Sequence, residues 1–406
     1  MSSDTIEIDI DPLYLTELVR KALARPALEL ANWKVSRIHG GLEWDSAVYR
    51  FQGDAHEGDE TIPWSLILKT INSAPKATEP GGIWYWKREA QAYRSGLLNN
   101  LPGVNLSAPV CYAIQERQDS SIWLWLEDIK DEIGSPWPIE QYALAARHLG
   151  QFNGAYLKDQ SFPTEPWVTR NWLRKYVENA APMIQFIRSN LHHPIVQHMF
   201  PGDSVAQALA IWEEHGPILD MLENLPQVFC HQDAFKRNLF AREGKTLAID
   251  WGYLGIAPVG AELVALIAAS IGFFEIPVEK VKDLDRLCFE GYLLGLRDSG
   301  WHGDPKLVRT GYTVSLLLRY PIGGTVGEML PTFLNQEGRA NMEAAFENKS
   351  ASELEKSDPA IVAYYQGIIP EALKLLGIRM LIRVVIRIGL NTLRLRMSKV
   401  KKPSLC

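Results

Sequence analysis

Strand-like and helix-like patterns divide this chain unevenly, and that division limits its fold more than any other feature. Three alternating apolar runs, "WKVSRI", "AVYRF" and "PWSLILKTI", follow one another with Gly- and Asp-containing turns between them, the pattern of an antiparallel meander. A short amphipathic helix around Tyr14 to Ala24 precedes them. After them comes "IWYWKREAQAYRSGLL", in which Ile83, Trp86, Ala90, Tyr93 and Leu97 recur at helical spacing. "APVCYAI" and "IWLWLEDI" add two further strands, and the acidic stretch "EDIKDEIG" marks a boundary. Beyond it helices dominate, beginning with "YALAARHLGQFNGAYL". The expected fold class is α+β and bilobal: a small antiparallel-sheet N-lobe over residues 1–128 and a large, mainly helical C-lobe over residues 129–406.

Size and composition agree with two lobes. A chain of 406 residues exceeds the usual range for one hydrophobic core. Hydrophobic content of 47% with 22% charged residues is that of a folded soluble enzyme, not of a disordered chain. A net charge of -6 gives no reason to expect a nucleic-acid partner. Cys111, Cys230, Cys288 and Cys406 are scattered without CxxC spacing, so neither a zinc site nor a disulfide framework is expected, and a reducing cytoplasm suits them. The acidic start lacks the basic and apolar regions of a secretory signal, and no stretch stays apolar long enough to span a bilayer.

One polar cluster interrupts the helical half. In "VFCHQDAFKRNLFAREGKTLAIDWG", Asp233 ends an apolar run with His231 two positions before it. Asn238 lies five positions after Asp233, and Asp250 closes the next strand. Phosphoryl transfer needs a carboxylate to orient and receive the proton of an attacking hydroxyl, and hard oxygen ligands for magnesium beside the triphosphate. These residues supply that set, and a strand-turn-strand hairpin would bring Asn238 and Asp250 together. His231 is read as a turn residue that orders the loop, with metal ligation or proton shuttling as the alternative.

"HQDAFKRN" followed by "AIDWG" resembles the HxDxxxxN and IDW elements of the aminoglycoside phosphotransferase and choline kinase superfamily, whose fold is protein-kinase-like. The resemblance implies Asp233 as catalytic base, Asn238 and Asp250 as magnesium ligands, and ATP as phosphoryl donor. It also implies adenine contacts from the main chain near Glu127 to Ile129, and weak nucleotide contacts from Gly40 and Gly41 in "IHGGLEWDSAVYRF". Two departures are visible: Gln232 stands where many relatives have glycine, and Gly252 follows the "DW" where an acidic residue is frequent. Glu262 occupies the place of a family acidic residue and is expected to be a structural support.

The strand half offers matching partners. Lys69 in "SLILKTI" shares a strand face with Ser65, Ile67 and Ile71, from which it can reach inward to phosphates. Glu89 lies about 70° from the centre of the following helix's apolar face, where an ion-pair partner for Lys69 would sit, while Arg88 is expected to point to solvent. Lys236 and Arg237 either stabilise charge on the transferring phosphoryl group or are exposed turn residues.

The acceptor is expected to be a small-molecule alcohol. An aminoglycoside would need several carboxylates, and the later helices show no acidic cluster; Trp301, Tyr312, Arg319 and Tyr320 are offered instead. In the tail "IRMLIRVVIRIGLNTLRLRMSKVKK", Arg379, Arg383, Arg387 and Arg394 share a helical face. It is read as a packed terminal helix with a solvated arginine stripe, with a membrane surface or a partner interface as alternatives. A non-catalytic nucleotide-binding protein and a metal-dependent phosphoesterase using His231, Asp233 and Asp250 are the rival functions.

Overall fold

A computed structural model of the chain describes residues 8–38, 46–74, 77–273, 275–345 and 359–400. Gly40 and Gly41 lie outside the described residues. The chain divides into two compact units: residues 1–135, 165–168 and 237–253 form the first, and 136–164, 169–236 and 254–406 form the second.

The first unit is built on a five-stranded antiparallel sheet. Strands β1 (Glu29–Ile38), β2 (Ser46–Glu57), β3 (Glu60–Ile71), β5 (Cys111–Glu116) and β6 (Ile122–Glu127) are ordered β1-β2-β3-β6-β5. Helix α1 (Pro12–Leu23) starts where Asp11 caps the Leu13 amide and proline occupies the first helical position. Its Leu15, Leu18 and Val19 pack with Trp64, Leu66 and Leu68 on one face of the sheet. Because side chains alternate along a strand, Lys69 belongs to the opposite face. It stands across from Val48 on β2 and Leu124 on β6.

The first unit also takes in the polar hairpin, which the expected cut at residue 128 assigned elsewhere. Strands β8 (Leu239–Arg242) and β9 (Lys245–Ala248) pair antiparallel, and β4 (Leu106–Ser107) adds to β9 in parallel. The acidic stretch after β6 fastens this hairpin: Asp131 accepts from the Ala241 amide at 3.1 Å, and the Glu132 amide donates to the Ala241 carbonyl at 3.0 Å. These bonds satisfy part of the outer edge of β8, and the first unit ends directly after this stretch, at Ser135.

The second unit is mainly helical and holds a two-stranded sheet of β7 (Gln227–Cys230) and β10 (Gly255–Pro258). One helix pairing brings Ile139–Ala155 against Val281–Asp298 through glycines on both partners. A β-carbon on Gly295 would lie 2.0 Å from the Arg147 carbonyl oxygen, and one on Gly150 would lie 2.3 Å from that of Tyr292. Gly295→Ala is therefore expected to cost about 1–3 kcal/mol or more through forced separation of the helices, seen as a lower thermal midpoint. An unchanged midpoint would show that the pair separates freely.

His148, on the same helix, is buried. Burial, reinforced by Arg147, lowers its pKa from 6.5 to about 4. A depressed histidine contributes stability that is complete above about pH 6.5 and is lost as the pH falls towards its folded value. Between pH 6.5 and 4 the unfolding free energy of the wild type should fall by on the order of 2–3 kcal/mol more than that of His148→Leu. Parallel pH profiles for the two proteins would remove His148 as the cause. Among the described residues, no helix is long and apolar enough to cross a membrane.

Candidate active site

In the first unit, the strand lysine, the helix glutamate and the hairpin aspartate meet. The Lys69 ammonium lies 2.6 Å from Glu89 Oε2 and 2.9 Å from Asp250 Oδ1. Lys69 and Glu89 are both buried. Burial pushes the Glu89 carboxyl up, and Lys69 pulls against it by favouring the charged form. Two carboxylates within 3 Å of one ammonium favour its charged form.

The hairpin register explains why Asp250 is there. Leu239 faces Ala248, and one step further the Ile249 amide donates to the Asn238 carbonyl at 2.9 Å. This sets Asn238 and Asp250 at adjoining ends of the two strands. Asp250 takes a left-handed backbone conformation with φ 63°, which aspartate tolerates better than most residues. Asn238 supplies an amide oxygen and Asp250 a carboxylate, both hard donors of the kind magnesium takes.

Arg88 overturns its expected place. It is fully buried, and its guanidinium donates to the carbonyls of Trp167 at 2.9 Å, Ile83 at 3.1 Å, Gly252 at 2.7 Å, and Gly82. Burial lowers its pKa to about 10. The reason for the miss is register: the helix, α2, spans only Arg88–Arg94, so Ile83 and Trp86 lie in turns and do not define its apolar face. Arg88 thus ties the start of α2 to the backbone two residues beyond Asp250. The sequence signal available was a cation that follows a glycine-rich turn and an aromatic run.

At the end of β6, the Glu127 amide donates to the Val110 carbonyl at 2.9 Å, and the Glu127 side chain pairs with Arg242. Ile129 is buried.

In the second unit, the loop bearing Asp233 is held from two sides. Glu262 is buried and accepts from the His231 amide at 2.8 Å with one carboxylate oxygen and from the Gln232 amide at 2.9 Å with the other. Burial pushes its carboxyl up while those amides pull it back. Asn153 donates to the Phe229 carbonyl at 2.7 Å and accepts from the Tyr292 hydroxyl at 2.6 Å, which fixes the strand leading into the loop. His231 is fully buried, and its Nδ1 accepts from the Asp233 amide at 3.2 Å. That bond suits a residue ordering the loop. Gln232 has φ 72°, so this L-residue adopts the conformation that glycine takes without cost.

Arg319 holds the other side, a role that sequence reasoning did not give it. It donates to the Gln232 carbonyl at 2.6 Å, lies 3.4 Å from Asp233 Oδ1, and rests 4.7 Å above the Trp172 ring. Trp172 in turn stacks on Tyr176. Of the other residues offered for the acceptor, Tyr312 is core: it is buried and bonded to Asp285 and Tyr364. Lys236 is buried with its ammonium 4.4 Å above Trp137, whereas Arg237 is exposed.

A model of the phosphotransferase enzyme family matches residues 34–290 of the chain. Among solved structures, a choline kinase from Cryptosporidium parvum Iowa II is similar with a TM-score of 0.51 and 15% identity, over 85% of this chain and 94% of that one. A variant of aminoglycoside 2′-phosphotransferase IIIa in complex with GDP is similar with a TM-score of 0.51 and 13% identity, over 88% of this chain and 100% of that one. No curated protein sequence matches the chain. Likeness at such identities concerns the fold, which is the bilobal, protein-kinase-like α+β fold expected from the sequence.

Proposed function

The chain belongs to the phosphotransferase enzyme family, and from that premise we propose that it transfers the γ-phosphoryl group of ATP to a hydroxyl of a small molecule, with magnesium. The observation that carries this is the joint pairing of Lys69 with Glu89 at 2.6 Å and Asp250 at 2.9 Å. A buried lysine clamped by a helix glutamate, with the hairpin aspartate beside it, is suited to receive a polyphosphate.

The roles follow from the chemistry of each group. Lys69 anchors phosphate oxygens, and Glu89 positions Lys69. Asn238 and Asp250 would hold magnesium, which when bound offsets the charge of the phosphates. Asp233 orients the acceptor hydroxyl and accepts its proton. His231 and Glu262 keep the Asp233 loop in shape through the amides they accept. Main-chain groups near Glu127 to Ile129 contact adenine, and Gly40 and Gly41 contact phosphates. In this assignment residues 1–128 act on the nucleotide and 129–406 on the acceptor, except that the metal-holding hairpin folds with the first unit. Cytoplasmic residence belongs to the same proposal, supported by the free thiols of Cys111, Cys230 and Cys288.

Arg319 bears on the acceptor. Its guanidinium lies 3.4 Å from Asp233, so a polycationic acceptor would bring like charge against it, whereas a neutral or acidic alcohol would not. A panel of neutral sugars, nucleosides, hydroxy acids, choline-like alcohols and aminoglycosides, scored by stimulated ADP release, tests the function. ADP release is expected with a neutral or acidic member. ATP binding without release across the whole panel would return the non-catalytic alternative, and phosphoester hydrolysis without ATP would return the phosphoesterase.

A further inference from the structure

The terminal helix Ile378–Val400 packs on one side, as expected, but its arginines are divided between protein carboxylates and solvent. Two of its arginines turn towards the protein: Arg383 lies 2.8 Å from Glu214, and Arg387 lies 3.0 Å from Glu213 and also pairs with Glu214. Glu214 is fully buried, so these cations neutralise an inward carboxylate while Arg383 and the rest of the expected arginine face, Arg379 and Arg394, stay exposed to solvent. Val384 is 0% exposed and Asn391 5%, which marks the packed side.

The side that results faces outward and is aliphatic. Ile378 is 76% exposed, Ile382 and Val385 52% each, and Ile386 and Leu393 56% each. At 100° per residue these five fall within about 100° of arc, so they form one continuous row along the helix. A surface helix ordinarily turns its apolar stripe to the core, and a contiguous exposed row of this kind marks a surface that contacts something else.

The charges beside the row choose among occupants. Arg379, Arg394 and Arg396 are exposed next to it or within it. From Ile378 onward the sequence carries five arginines and three lysines and no Asp or Glu. A second copy of the chain placed on this face by a two-fold axis would oppose these cations to one another. An anionic lipid surface would neutralise them while its headgroup boundary took up the aliphatic row.

We propose that the helix Ile378–Val400 is a membrane-surface anchor, lying flat on anionic phospholipid with Ile378, Ile382, Val385, Ile386 and Leu393 inserted at the headgroup boundary and its arginines on the lipid phosphates. It spans nothing. The proposal is independent of the acceptor and of the assignment of Asp233.

The test is cosedimentation of the full chain with phosphatidylcholine vesicles, with and without about a third phosphatidylserine, at about 0.1 M salt. Partitioning should be about tenfold stronger to the anionic vesicles, and raising the salt should weaken it. The Ile382→Asp/Ile386→Asp double variant should lose binding, and Arg394→Gln/Arg396→Gln should weaken it. All four positions are exposed, so both variants should keep the wild-type thermal midpoint and circular dichroism, and the second remains informative if the first fails to fold. Wild-type protein left in the supernatant with both vesicles would overturn the proposal. So would binding unaffected by either variant, or a wild-type dimer that Ile382→Asp/Ile386→Asp converts to monomer, which would give this face to a second copy.

Discussion

Asp233→Asn should lower acceptor-stimulated ADP release by roughly 10²–10⁴-fold, the range typical of losing a positioned proton acceptor. ATP binding measured by calorimetry should change little, because Lys69, Glu89, Asn238 and Asp250 are untouched. The substitution is nearly isosteric and removes only the charge. Arg319 would still donate to the Gln232 carbonyl at 2.6 Å and rest on Trp172, so the thermal midpoint should stay close to that of the wild type. Turnover equal to the wild type would end the assignment of Asp233 as base. Loss of ATP binding together with activity would instead give Asp233 a structural role.

Lys69→Met should abolish ADP release and also destabilise the fold. Its ammonium is the shared counter-charge of Glu89 and Asp250, and Glu89 is only 4% exposed at its side chain. Removing one partner of a buried pair leaves an uncompensated charge and typically costs about 3–5 kcal/mol. The stability loss should be pH-dependent. Burial already holds the Glu89 carboxyl above its ordinary value, and without Lys69 it rises further. A carboxyl raised in the folded state contributes stability that is present below its unfolded pKa and lost as the pH rises through its folded one. The deficit of Lys69→Met should therefore shrink on acidification. Adding Glu89→Leu to Lys69→Met should recover much of the stability at neutral pH while ADP release stays absent. A double variant no more stable than Lys69→Met would place the cost elsewhere than in the exposed imbalance of charge.

Legibility in the sequence followed the range of the interactions. The meander could be read because alternation along β2 and β3 is a local property, and the same alternation put Lys69 on the face away from Leu66 and Leu68. The pairing of Lys69 with Glu89 was anticipated from a strand lysine followed by a helix glutamate, and the two meet at 2.6 Å. Arg88, one residue away, was misplaced because its position depends on where α2 begins, and the aromatic run before it imitates a longer helix. Its partners lie at Gly82, Ile83, Trp167 and Gly252, a set that no local pattern connects. Arg319 was offered for the acceptor, but its contact with the Asp233 loop could not be read for the same reason, being 86 positions along the chain from the Asp233 it approaches.

The sequence by itself determined the chemistry available: the residue types at His231, Asp233, Asn238 and Asp250, their spacing, the strand lysine, and the order of sheet before helices. These depend on covalent neighbours and on periodicity, both of which are set before the chain folds. Only the tertiary structure decided which buried charges would meet. It joined the hairpin to the sheet unit through Asp131 and Glu132, turned Arg88 inward, set Arg319 against Asp233, and drew Arg383 and Arg387 onto Glu214 so that isoleucines were left facing outward. Burying a charge is costly without a counter-charge or hydrogen-bonding partners, and those are supplied by whichever distant segment the fold brings alongside.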